Sequence, residues 1–336
     1  MSEVEAPYVA EEVRRYMIQE YGLKAYSEGL EVITTIDSKF QNHASKAVKK
    51  GLEIYDKRHG FRRPDNIIDF FPPEFLESSK QEQLAEIENA LSAESINSTE
   101  DSWLFKVFNA LEEITENKRR FAGVVTNNKN SLEVLTKSGE IITIAWSEEL
   151  SWARPYISEN RRGAKPRSYK DILVIGDLVW LKQDEFTQTL SLTQIPEAQS
   201  ALVSLDPNLG SIIALVGGYD FFLSKFNRAE QSSQLLGSNF KPFLYAAAFS
   251  EGYTPASLIN DAPIIFEDKA LEEKWRPRNA SGKFYGLTRL REGLLQSRNL
   301  VSVRLLRKLG VEKVRTYSEK FGFDKQRLPA DLSLSL

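Results

Sequence analysis

A serine and a lysine stand three positions apart in "LLGSNFKPFLYAAAF" (235–249), where the chain turns apolar. A serine hydroxyl is a weak nucleophile at neutral pH and needs a base beside it. On a helix, residues at that spacing share a face, so Lys241 can reach back toward Ser238. A lysine buried there can lose its proton and serve as that base. Pro242 fits only in a first turn, which puts Ser238 at a helix N-terminus, where amide dipoles favour developing negative charge. Gly237 lets a substrate come close to the backbone. The chemistry suited to this arrangement is serine attack on a carbonyl. Ser-x-x-Lys by itself is weak evidence, since chance supplies roughly one or two in a chain of this length. Ser238–Lys241 is the one instance here.

A second candidate follows in "QSRN", where Ser297 and Asn299 lie between two apolar helical segments. A hydroxyl and an amide on such a loop can pass a proton to a leaving amine and hold a peptide group of the substrate. The pattern also recurs at Ser95–Asn97 and Ser158–Asn160, which read as loops. A Lys-Ser-Gly at Lys137–Gly139 precedes the serine and reads as a hairpin turn inside a β-rich stretch.

The elements that must position these residues follow from pattern. Residues 7–29 read as a helix with Pro7 in its first turn, and "LEVITTI" (30–36) as a strand. Asp37 is the expected N-cap of a helix whose apolar stripe is Phe40, Ala44, Ala47, Val48 and Leu52. Residues 61–118, proline-punctuated and then polar, read as a variable insertion with short helices. "FAGVVTN", "SLEVLTK", "EIITIAW" and "DILVIGDLVWLK" alternate as short strands and predict a small barrel over 119–195. From 196 onward come a hairpin, "SALVSLD" and "SIIALVGG", and helices at about 288–296, 300–309 and 311–321.

Composition narrows the function. The 336 residues are 41% hydrophobic and 27% charged, with a net charge of −3, so no global basic field recruits nucleic acid. The basic loop "RRGAKPRSYK" (161–170) reads as solvated. No cysteine is present, which excludes disulfides, thiolate metal sites and a cysteine nucleophile. His43 and His59 are the only histidines, too few for a multi-histidine metal site, and no cofactor or metal is expected. The first residues are charged and no long apolar run occurs, so neither a signal peptide nor a membrane span is expected.

Taken in order, "GGYDFFLSKFNRAEQSSQLLGSNFKPFLYAAAF", "TPASLINDAPI", "WRPRNASGKFYGLTRLREGLLQSRN" and "FGF" resemble the transpeptidase domain of class A penicillin-binding proteins, the 1A type of Gram-negative bacteria above all. "APYVAEEVRRYM" and "GLEVITTID" resemble the segment that joins the glycosyltransferase and transpeptidase domains in that family. "SWARPYISENRRGAKPRS" resembles its inserted OB-like domain.

The resemblance implies a multidomain α+β chain: linker 1–36, first transpeptidase helix 37–60, insertion 61–118, an all-β OB-like barrel 119–195, and a transpeptidase domain from 196 to 336 of the penicillin-binding and β-lactamase fold. It implies Ser238 as the acylated nucleophile, Lys241 as the base, and Ser297 and Asn299 as the second motif. The implied reaction cross-links peptidoglycan stem peptides at D-Ala-D-Ala, with β-lactams acylating the same serine. Regulators of wall synthesis are implied partners of the OB-like domain. The implied location is the periplasmic face of the inner membrane, reached through an anchor that precedes the matching region. The family's third motif, Lys-Ser/Thr-Gly, would follow Leu336, so this chain alone is expected to be inactive. The competing readings are a D,D-carboxypeptidase or β-lactamase of the same fold, and a non-catalytic OB-type binding module.

Overall fold

The computed structural model describes residues 4–92, 102–114, 120–129, 131–146, 148–184, 187–264 and 275–336. The chain divides into two compact units, Met1–Ser232 and Ser233–Leu336.

The first unit opens with α1 (Pro7–Tyr21), which stops earlier than predicted because Gly22 takes a positive φ of 58°. Residues 30–36 are not a strand. Their ties to the neighbouring chain are few: Thr35 Oγ1 donates to the Ile212 carbonyl (2.6 Å), and just beyond them the Asp37 amide donates to Ile213 (3.0 Å). α2 (Ser38–His59) begins at Asp37, whose carboxylate accepts from the Lys39 and Phe40 amides at 2.9 and 3.0 Å, a cap worth about 1 kcal/mol. Its buried stripe is Gln41, Ala44, Val48, Leu52 and Asp56, whereas Phe40 and Ala47 face solvent.

The segment read as an insertion forms α3 (Pro73–Glu77), α4 (Lys80–Ser92) and α5 (Trp103–Glu112). Residues 93–101, which include the Ser95–Asn97 pair, and 115–119 lie outside the described residues. Then come β1 (Arg120–Asn127), β2 (Leu132–Thr136), β3 (Ile141–Ile144), β4 (Tyr156–Ser158), β5 (Arg161–Arg162), β6 (Leu178–Gln183) and β7 (Leu190–Thr193). Ser158–Asn160 falls at the β4–β5 turn, and Lys137–Gly139 at the β2–β3 turn, where Gly139 has φ 83°.

Five strands make one antiparallel sheet in the order β3-β2-β1-β6-β7, and no ladder closes β3 onto β7 among the described residues. One face packs Val125, Val134, Val179 and Leu181 against Phe61, Leu150 and Leu173. The other packs Ala122, Val124, Leu135 and Ile141 against Phe75, Ile87, Leu104, Val107 and Leu111 of the helices before it. With both faces covered, β2 is buried at every position. Gly123 permits this packing, since a Cβ there would meet the Leu135 carbonyl oxygen at 2.9 Å.

The hairpin β8 (Leu202–Leu205) and β9 (Ile212–Val216) belongs to the first unit by its packing. Ala214 and Val216 meet Ala44, Val48 and Leu52. Gln41 reads β9 like a strand neighbour: its Nε2 donates to the Leu215 carbonyl (3.0 Å) and its Oε1 accepts from the Leu215 amide (2.9 Å). Arg120 of β1 is buried between the Trp180 and Tyr219 rings and donates to Asp220 at 2.8 Å, joining sheet and hairpin.

The second unit contains α6 (Lys241–Ser250), β10 (Leu258–Asp261) paired with β11 (Gly286–Arg289), α7 (Leu290–Leu295), α8 (Asn299–Leu309) and α9 (Val311–Ser318). Its core joins Phe240, Leu244, Tyr245 and Ala248 of the α6 region to Ile259, Leu290, Val301, Leu305, Leu306 and Val314. Gly310, at φ 89°, separates α8 from α9.

The two-sided sheet makes a prediction about autonomous folding. A polypeptide of residues 61–195 should melt cooperatively, whereas residues 120–195 alone expose the apolar face that the preceding helices cover. The shorter piece should bind a hydrophobic dye and melt at least about 10 °C lower. Equal melting temperatures would show that those helices are dispensable.

Candidate active site

Ser238 sits in a 3₁₀ turn, Gly237–Phe240, that runs directly into α6. Gly237 has φ 53°, a conformation that a side chain would strain, and Pro242 occupies the first turn of the helix. Ser238 is solvent-exposed and open to an external molecule.

Lys241 is the opposite case. It is only 1% exposed and lies in the same buried stripe as Leu244, Tyr245 and Ala248. Its ammonium donates to three oxygens: the Ser297 carbonyl at 2.9 Å, Ser297 Oγ at 3.0 Å and Asn299 Oδ1 at 2.7 Å. Burial pushes its pKa down to about 8.

The loop that supplies those oxygens is held in an uncommon backbone state. Ser297 has φ 50°, one of two non-glycine residues with positive φ among the described residues. Such a conformation costs about 1–3 kcal/mol unless its surroundings compensate. Here the Ser297 amide donates to the Leu294 carbonyl (3.0 Å) and the Arg298 amide to Gly293 (2.8 Å), closing the end of α7. Gly293 allows this closeness, because a Cβ there would meet Val301 Cγ1 at 2.7 Å and the Tyr245 hydroxyl at 2.9 Å unless they shifted. The reversal turns both the carbonyl and the hydroxyl of Ser297 onto one ammonium.

Three of the four sequence candidates thus meet: Lys241, Ser297 and Asn299. The fourth, Ser238, lies one turn before the lysine, and among the described residues no hydrogen bond joins it to Lys241. The direct contact expected from spacing is replaced by one across 56 and 58 residues. Catalytic hydrogen bonds are often loose without substrate, so this does not remove Ser238 from the site. Sequence reasoning missed Asn279. Its Oδ1 accepts from the Leu300 amide at 3.2 Å, beside Asn299, whose Nδ2 donates to the Arg278 carbonyl at 2.9 Å. Arg278 and Asn279 lie inside "WRPRNASG", but nothing local there signals a contact so far along the chain.

Comparison with known proteins identifies two domains. Residues 200–334 match the penicillin-binding protein transpeptidase domain, and residues 81–198 the penicillin-binding protein OB-like domain. Penicillin-binding protein 1A of Pseudomonas aeruginosa is 40% identical over 99% of this chain and 37% of its own length. The protein of that name from Escherichia coli is 37% identical over 98% of this chain and 36% of its own. The 2.6 Å crystal structure of penicillin-binding protein 1A from Haemophilus influenzae superposes with a TM-score of 0.76 at 31% identity, covering 99% of this chain and 44% of that one. Two penicillin-binding protein domains thus lie side by side in this chain, which is similar over nearly all its length to penicillin-binding proteins named 1A.

The chain spans about 37% of the length of the curated relatives it matches. The OB-like match begins at residue 81, inside the segment that sequence pattern set apart as an insertion, and takes in α5 and nearly all of α4, which pack on the sheet, but not α3. Among the described residues no helix is long and apolar enough to cross a membrane.

The buried lysine makes its own prediction. Competitive acetylation of Lys241 should follow a titration centred near pH 8, against an ordinary lysine value of 10.5. The native pKa is the lower one, so the unfolded chain holds the proton over the window between these values. Folding stability should therefore rise as pH climbs through it. A titration of Lys241 near 10.5 would contradict the geometry.

Proposed function

We propose that this chain carries the acylating half of a serine D,D-transpeptidase that cross-links peptidoglycan stem peptides and is acylated by β-lactams. The single observation behind this reading is the burial of Lys241 against Ser297 and Asn299, one turn after an exposed Ser238.

At a pKa of about 8, roughly a tenth of Lys241 is neutral at pH 7, against about three parts in ten thousand at the ordinary value. Loss of one proton leaves Nζ with two N–H donors and a lone pair. Of its three partners, the Ser297 carbonyl and Asn299 Oδ1 can only accept, whereas the Ser297 hydroxyl can reverse and donate. Both protonation states are therefore fully hydrogen-bonded, and Ser297 is the group that makes them interchangeable.

In the acylation step Lys241 takes the Ser238 hydroxyl proton as Oγ bonds to the carbonyl carbon of D-Ala-D-Ala. Collapse of the tetrahedral intermediate breaks the C–N bond. The proton returns through Ser297 to the amine of the departing D-alanine, leaving an ester on Ser238. An amine from a second stem peptide then attacks that ester. With a β-lactam, the ring amide is opened in the same way and the leaving group stays attached. This chemistry belongs to the periplasmic face of the inner membrane, where the substrate is found.

Labelled penicillin should attach to Ser238 in a full-length protein that includes this chain. Ser238→Ala should abolish labelling, Lys241→Ala should slow it by a factor of about 10² to 10⁴, and Ser297→Ala should slow it less than Lys241→Ala does. Labelling that survives Ser238→Ala would assign the nucleophile elsewhere.

A further inference from the structure

α8 starts without a side-chain cap of its own. Arg298 at the N-cap position makes no capping bond. Asn299, a residue type that commonly caps, is turned away: its Oδ1 accepts from Lys241 and its Nδ2 donates to the Arg278 carbonyl. The free amide of Leu300, a fully buried residue, is taken instead by Asn279 Oδ1 at 3.2 Å. The cap is supplied from 21 residues upstream, while Asn299 in the first turn faces the lysine.

Asn279 is itself fixed. It is 5% exposed, and its Nδ2 donates to both Asp261 carboxylate oxygens (2.8 and 3.0 Å) and to the Lys283 carbonyl (2.9 Å). An ionised carboxylate only accepts, so Asp261 dictates which way the Asn279 amide points. Asp261 is fully buried at the end of β10, paired with Gly286 of β11, and its own carbonyl accepts from the Tyr285 amide (3.1 Å). A chain of contacts therefore runs from β10 through Asp261 and Asn279 to the first turn of α8, and from Asn299 to Lys241.

We propose that Asp261 and Asn279 are positioning residues of the transpeptidase site: the pair anchors the start of α8 so that Asn299 and Ser297 both face Lys241. The proposal rests on the reading of Lys241 as the base. Neither residue touches the lysine, so both act through Asn299 and the 297–300 turn.

The near-isosteric Asn279→Asp keeps the oxygen that caps Leu300 but replaces the donors with a second carboxylate oxygen, which meets no donor and repels Asp261. Two readouts apply: the titration of Lys241 in this chain, and the rate of Ser238 acylation by labelled penicillin in the full-length protein. Asn279→Asp should move the Lys241 midpoint up from about 8 by at least about one unit and slow acylation at pH 7 at least about tenfold. The exchanged pair Asp261→Asn with Asn279→Asp restores one amide facing one carboxylate and should recover part of both losses. A merely structural role would lower the melting temperature without this rescue of the titration. If Asn279→Asp does not fold, Asp261→Asn, which keeps an acceptor for the Asn279 amide, is measured by the same two readouts and should show smaller shifts in the same directions. A folded variant with the Lys241 midpoint and the acylation rate both unchanged overturns the proposal. Failure of the unmodified full-length protein to label at Ser238 would instead remove the functional reading, while the Lys241 titration would still decide whether the pair positions the lysine.

Discussion

The second unit is organised around one buried ammonium. A charged lysine removed from water costs several kcal/mol unless its protons are met, and Lys241 has an apolar helix face behind it. Its three acceptors come from two consecutive motif positions, Ser297 and Asn299, and among the described residues no carboxylate shares the contact. Neutral acceptors satisfy the ammonium geometrically without adding the opposite charge that would fix its proton. Burial then lowers the proton affinity while the partners keep the head group in place. Several uncommon features surround it: the left-handed Ser297, the glycine at 293 under the Tyr245 hydroxyl, and a helix capped by a residue far from it in sequence.

Much of that site was legible as residue types. Serine and lysine at helical spacing before a proline, and a serine and asparagine before a later helix, name the groups. Their assembly was not legible. Spacing suggested that Lys241 turns back to Ser238, but helix periodicity says nothing of what other elements bring near, and the lysine turns to partners 56 and 58 residues away. Asn279 escaped notice for the same reason. Its work is to satisfy a backbone amide of another element, and such a role leaves no local pattern.

Elements followed the same division. Asp37 declared α2 because an N-cap is a local device, and Ala44, Val48 and Leu52 are buried as their spacing requires. The β-branched run at 30–36 suggested a strand, yet it lacks a ladder, and strand propensity without a partner does not make a sheet. Of "DILVIGDLVWLK" only Leu178–Lys182 belongs to a strand, β6, because Tyr169–Asp171 forms a 3₁₀ turn closed by the Ser168–Asp171 capping box. The short β7 passed unseen. In the first unit, the helices of 73–112 fall in what composition set apart as a variable insertion, but Phe75, Ile87, Leu104, Val107 and Leu111 pack on one face of the sheet. Arg120, held between two rings and paired with Asp220, ties that sheet to the β8–β9 hairpin.

The central claim is that a lysine kept half-ready to lose its proton activates Ser238. The most direct test is the pH dependence of the Ser238 acylation rate by a β-lactam in the full-length protein. The account predicts a rate that rises with pH to a midpoint near 8, with that inflection absent in Lys241→Ala. A rate flat between about pH 6 and 9, or an inflection near 8 that persists without Lys241, would contradict it.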